Sequence, residues 1–172
     1  MRTRPNTALR APGGPGYRPA MRRTLRVAAY AVVVRDGQIL LARARDDDGR
    51  PEWVLPGGGM EHGEDPYDTV RRELEEETGY LVEVTRFLGI DSSRRTLSGR
   101  FRRPADHHGL RLLYEGRVTG GELRDEVGGS TEHAAWQPLD AVPGLARIRL
   151  IDTALRLWRE RPATGHLETG RG

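Results

Sequence analysis

Apolar residues in this chain gather into short runs broken by turn residues, and the spacing changes from run to run. The longest, Val27–Val34, is eight residues of Val and Ala with one Tyr. Asp36-Gly37 follows, a pair suited to a tight hairpin turn, and Gln38–Ala44 reads as the returning strand. A polar loop from Arg45 to Pro51 leads to Trp53-Val54-Leu55, and Pro56-Gly57-Gly58-Gly59 halts that strand. The pattern then becomes helical: Asp65 suits the N-cap, Pro66 the first helical position and Gly79 the residue just past the end. Tyr67, Val70 and Leu74 form its apolar stripe.

Leu81–Ile90 and Leu110–Thr119 read as strands, separated by an Arg-rich loop with Arg94, Arg95, Arg100, Arg102 and Arg103. Trp136-Gln137-Pro138-Leu139 is expected at a sheet edge. Helical spacing returns over Ala146–Arg159 through Ile148, Ile151, Leu155 and Trp158. Strands interspersed with two helices predict an α/β layered domain.

Charge divides the chain. All 28 basic residues are Arg, and seven of them fall in residues 1–26, where there is no acid. The other 146 residues set 21 Arg against 25 acids, so the body is mildly acidic. With Pro5, Pro12, Pro15 and Pro19 interleaved with Gly, residues 1–23 read as a basic, disordered tail. The domain is expected over 24–161, and 162–172 reads as a flexible exit that frays. Met1 and Met21 are both candidate starts.

Without Lys or Cys, the chain has no Schiff-base lysine, P-loop lysine, thiol nucleophile, Cys-ligated zinc or disulfide. No run approaches the ~20 apolar residues of a membrane span, and residues 1–26 lack the apolar core of a signal peptide. A cytoplasmic protein without membrane contact is expected. Nucleic-acid binding through the tail is the lesser reading.

The chemistry concentrates in residues 57–80, GGGMEHGEDPYDTVRRELEEETGY. At about 100° per residue, Glu73, Glu76 and Glu77 share an arc of about 100°, with Glu75 pointing away. A glycine-rich turn leads into the same helix and offers backbone groups beside the carboxylates. Oxygen ligands of this kind suit Mg²⁺ or Mn²⁺, which carboxylates commonly share with substrate phosphates.

This stretch resembles the Nudix hydrolase signature. Gly58, five residues, Glu64, seven residues, Arg72-Glu73-Leu74, one residue, Glu76-Glu77, one residue and Gly79 follow the pattern. Tyr80 departs from it, standing where the family usually has a bulky aliphatic residue. The looser likeness of the flanking strands and Trp136 covers most of residues 24–160. The resemblance implies an α/β/α sandwich with a mixed sheet, and hydrolysis of a diphosphate bond in a nucleoside diphosphate linked to another moiety. It implies Mg²⁺ or Mn²⁺ held by Glu73, Glu76 and Glu77, with the Gly57 carbonyl as an additional ligand. Arg72 and Glu64 would pair and orient the acidic helix. The family draws its general base from different places, which leaves Glu73, or Glu126 or Glu132 on the loop before Trp136.

Substrate signals are mostly missing. Arg95 stands where ADP-ribose hydrolases often have Pro, Arg95–Ser98 lacks the Tyr common in dinucleoside polyphosphate hydrolases, and the NADH-type cluster is absent. The isomerase branch needs a Cys that this chain lacks. A non-catalytic nucleotide-binding regulatory domain is the alternative, though such domains generally lose carboxylates that are intact here. Isologous pairing into a homodimer is compatible with such a chain.

Overall fold

The computed structural model describes residues 21–99, 102–126 and 128–167. In chain order it contains β1 (Arg22–Arg35), β2 (Gln38–Arg45), β3 (Pro51–Val54), β4 (Gly57–Gly59), α1 (Pro66–Thr78), β5 (Tyr80–Gly99), β6 (Arg102–Gly121), β7 (Thr131–Pro138) and α2 (Arg149–Glu160). Strands run in the order β3-β2-β1-β6-β5, with β4 pairing β1 and β7 pairing β2. The sheet is mixed because β1 and β6 run parallel while the other pairs are antiparallel.

The unbroken apolar run of β1 follows from its burial on both faces. Ala29, Ala31 and Val33 pack with Leu40, Val70 and Leu74 beneath α1. Val32 points the other way and joins Ile39, Leu41, Leu113 and the α2 residues Leu150, Ile151 and Leu155. The molecule is thus an α/β/α sandwich. Asp36 and Gly37 both take positive φ, 53° and 74°, the turn in which β1 reverses into β2.

The helix α1 is delimited by its caps. The Asp65 carboxylate accepts from the Tyr67 amide at 2.8 Å, and Gly79 closes the helix at φ 75° with its N–H donated to the Glu75 carbonyl. Val70 and Leu74 are fully buried, but Tyr67 is 39% exposed. Helical side chains lean toward the N-terminus, so a first-turn residue overhangs the sheet. The buried stripe continues instead through Glu77 and Thr78.

Three other elements differ from the sequence reading. Arg94, Arg95, Arg102 and Arg103 belong to the long β5–β6 hairpin, not to a loop; Arg100 lies outside the described residues. Polar cross-strand pairs hold this hairpin, with Arg94 on Asp106 and Ser92 on His108, so it lacks the apolar alternation of a half-buried strand. The second helix begins at Arg149 because Ala146 and Ile148 instead bond the backbone of Trp53. The exit expected to fray is held as far as Leu167: the Ile90 amide donates to the Gly165 carbonyl, and Leu167 packs on the α2 core. Gly165 and Gly89 make this possible, since a Cβ on Gly89 would stand 2.1 Å from that carbonyl oxygen.

Glu115 of β6 ties α2 to the sheet. Its carboxylate accepts from both terminal nitrogens of Arg161, at 2.8 and 2.9 Å, and from the Trp158 indole at 2.9 Å. Arg161 first, and the indole after it, hold the Glu115 carboxyl below its usual range against the opposing effect of burial. A depressed folded-state value means the stabilisation is present above the unfolded value of about 4.3 and is lost as pH falls below it. Glu115→Gln is therefore expected to melt a few degrees below wild type at pH 7, with the two curves drawing together as pH falls below the usual carboxylate range. Thermal unfolding at several pH values measures this.

Candidate active site

A single guanidinium organises the acidic end of α1. Arg72 grips Glu64 with two nitrogens, Nε to Oε1 at 2.8 Å and Nη2 to Oε2 at 3.0 Å. Its Nη1 reaches Glu73 at 3.0 Å and Glu76 at 3.1 Å, and Nη2 also leans on the Gly59 carbonyl at 3.4 Å. Arg72, with help from the Glu61 amide, holds the Glu64 carboxyl down at about 2. The fork geometry of Arg suits this multiple engagement, which a Lys could not reproduce.

Glu77 has a different environment. It is 3% exposed and accepts from the Gly57 amide at 2.8 Å. Burial pushes its carboxyl up to about 8; the Gly57 amide opposes the shift, and Glu73, Glu126 and Glu76 add to it. Burial likewise raises Glu73, against the pull of Arg72. Among the described residues, no three acidic or imidazole side chains already form a metal-holding cage. Arg72 and the Gly57 amide occupy the carboxylate oxygens instead. A buried, mutually repelling set of hard oxygen donors nonetheless has the chemistry of a divalent-cation site.

The two loop acids part company. Glu126 acts electrostatically on both Glu73 and Glu77, and its Oε2 accepts from the Thr131 amide and hydroxyl at 2.9 and 2.8 Å. Glu132 turns away to pair with Arg45 at 2.5 Å. The sequence offered no means of separating them, because both are acids on the same loop before Trp136 and nothing in their spacing says which way either points.

The NUDIX domain model matches residues 24–157. The chain belongs to the Nudix family. Among its relatives is a putative ADP-ribose pyrophosphatase of Bacillus subtilis, 35% identical over 68% of this chain and 52% of that protein. An RNA pyrophosphohydrolase of Cereibacter sphaeroides is 31% identical over 80% of this chain and 84% of that protein. A solved NUDIX hydrolase structure from Nitrosomonas europaea superposes with a TM-score of 0.65 at 21% identity, covering 80% of this chain and 90% of that one. The match to the Bacillus protein spans about half of that relative's length.

A cleft of about 510 Å³, not foreseen from the sequence, opens on the face of β1 opposite α1. Arg26, Ala28 and Tyr30 of β1 line it, with Ser93 of β5 and Arg111 of β6. Tyr30 connects it to the carboxylates: burial raises its phenol, while Arg26, Arg111, Glu77 and Glu73 all act on it electrostatically. These residues lie far apart in sequence, and only the parallel pairing of β1 with β6 brings Ala28 beside Arg111.

The glycines before the helix have distinct tasks. A Cβ on Gly57, whose φ is 135°, would stand 2.3 Å from the Ala29 carbonyl oxygen and 2.6 Å from the Tyr30 Cα. A Cβ on Gly58 would meet only the mobile end of Glu73, at 2.5 Å. Gly57→Ala should cost about 1–3 kcal/mol or more through backbone strain. Gly58→Ala should leave stability within about 1 kcal/mol of wild type while displacing the Glu73 carboxylate. Denaturant unfolding of the two variants side by side separates these outcomes.

Proposed function

We propose that the chain is a divalent-cation-dependent hydrolase of the diphosphate bond in nucleoside diphosphate derivatives. The observation that carries this reading is the buried Glu77, surrounded by Glu73, Glu76 and Glu126 and countered by one backbone amide. Crowding of this kind destabilises a protein unless a cation or a substrate makes use of it. Glu73, Glu76 and Glu77 would hold Mg²⁺ or Mn²⁺, with the Gly57 carbonyl as a further oxygen. When bound, the cation supplies charge neutralisation at phosphate oxygens and makes water more acidic.

The chain's own residues supply the rest. Arg72 keeps Glu73 and Glu76 oriented, and Glu64 fixes the Arg72 fork through two hydrogen bonds. Glu126, held at Oε2 by Thr131, is the better candidate to take a proton from the attacking water, because it acts on Glu73 and Glu77. Glu132, engaged by Arg45, is assigned a structural task. Arg26 and Arg111 in the adjoining cleft offer positive charge to the substrate phosphates. Displacement at phosphorus asks chiefly for positioning and electrostatic stabilisation, so a site without Lys or Cys suffices.

Relatives named for ADP-ribose and for RNA make nucleotide diphosphates the first compounds to test. Release of nucleotide or phosphate should require Mg²⁺ or Mn²⁺ and stop in EDTA. Glu77→Gln and Glu126→Gln should each lower kcat by about 100-fold or more, whereas Glu132→Gln should leave it within a few-fold of wild type. Nucleotide binding without turnover under every metal condition, unaffected by Glu77→Gln, would favour the regulatory-domain reading instead.

A further inference from the structure

The loop between β6 and β7 carries two neighbouring acids that are fastened separately. Ahead of them, the Arg124 amide donates to the Thr78 carbonyl at 3.0 Å, which ties the start of the loop to the last turn of α1. Asp125 turns to β7, where its Oδ1 accepts from the Ala134 amide at 3.1 Å and meets His133 Nδ1 at 3.0 Å. Glu126 instead acts on the α1 carboxylates Glu73 and Glu77. Its Oε2 accepts from both the amide and the hydroxyl of Thr131, at 2.9 and 2.8 Å. Among the described residues, its Oε1 accepts no hydrogen bond.

Two local features build this arrangement. The first is a bulge in β7. Ala44 of β2 pairs with Thr131 and Arg43 with His133, so Glu132 is passed over. A bulge re-aims the side chains around it. Glu132 turns out to Arg45, while Thr131, only 6% exposed, brings its hydroxyl and amide to Glu126. The second feature is the glycine pair Gly128-Gly129. Gly128 takes φ 77° with open space around it, so its task is the turn itself. Gly129 has no such conformation; a Cβ there would overlap the Glu126 carboxylate, so its task is to leave room. A glutamate stem is rich in rotamers and loses its aim unless something holds the carboxylate. Two donors on one oxygen, above a residue without a side chain, fix the carboxylate plane and leave the other oxygen for a water.

We propose that Gly129 and Thr131 are positioning residues: together they form a seat that aims the Glu126 carboxylate at the reaction centre with Oε1 free to accept a proton. The inference rests on the hydrolase reading with Glu126 as its base, and deepens it by naming what aims that base. Neither residue touches substrate; both act through Glu126. A reacting group displaced by about 1 Å can cost about 100-fold in rate, so a seat of this kind bears on turnover rather than on substrate affinity.

The test is a double-mutant cycle in the full chain, with ADP-ribose and Mg²⁺ as the probe. Gly129→Ala, Thr131→Val and Thr131→Ser are each made alone and together with Glu126→Gln. Gly129→Ala and Thr131→Val should each lower kcat by about tenfold or more with KM nearly unchanged. Thr131→Ser, which restores the hydroxyl, should recover most of the loss. On the Glu126→Gln background the same substitutions should cost less than about twofold, because a residue acting through Glu126 has nothing left to aim. The melting-temperature losses of Thr131→Val and Glu126→Gln should likewise fall short of their sum when combined. Losses of kcat that multiply on that background would overturn the proposal and leave the base assignment standing. So would wild-type kcat in Gly129→Ala and Thr131→Val where Glu126→Gln has lost it. A fully active Glu126→Gln would overturn the base assignment, and this proposal with it. If wild type turns over no ADP-ribose, the melting cycle decides the seat, and additive losses overturn it.

Discussion

The structure depends on one planar cation among acids. Helix α1 must bury Val70 and Leu74 against the sheet while carrying Glu73, Glu76 and Glu77 along its flank, and those carboxylates repel one another. Arg72 resolves the conflict because its fork can engage Glu64, Glu73 and Glu76 at once from a position about one-quarter exposed, with 28% of its side chain accessible. The fork also reaches the Gly59 carbonyl, so the glycine strand and the helix are held as one body. Glu77 lies outside this reach, and burial favours its neutral form until a positive partner arrives.

Strand β1 determines where that partner can arrive. Its odd-numbered residues Ala29, Ala31 and Val33 support α1. Its even-numbered residues begin in the cleft with Arg26, Ala28 and Tyr30 and end in the α2 core with Val32. One strand therefore places the acidic helix on one face and the cleft on the other. The junction is β4, where glycines let Tyr30 and the Glu77 carboxylate approach the same backbone. Reaction chemistry and recognition are joined there by steric permission alone.

How much could be read from the sequence follows the length scale of each interaction. The Nudix helix and its caps were legible because their determinants lie within a few turns of one another, and the Glu64–Arg72 pair through the resemblance of that stretch to the family signature. The layered α/β class was legible from strands interspersed with two helices, whereas the mixed-sheet sandwich came from the family resemblance; burial of β1 on both faces explains its unbroken apolar run. Arg26, Tyr30 and Arg111 were not, since only the pairing of β1 with β6 brings them together. Glu126 and Glu132 looked equivalent because their difference is a matter of direction: one faces the box carboxylates and the other faces Arg45. The arginine-rich hairpin was misread because its register is held by ion pairs and hydroxyl–imidazole contacts, which leave no periodic apolar signature.

The docking of Gly165 against Gly89 bears on the molecule as a colloid. Strand β5 is the outer strand of its sheet, and an open strand border is a template on which another chain can add. By donating the Ile90 amide to Gly165, the protein spends part of that border on its own terminus. Two facing glycines, with no side chain between them, let the two backbones meet there. The turn at Gly165 thus covers part of an outer strand that would otherwise stand open, a task remote from phosphate chemistry.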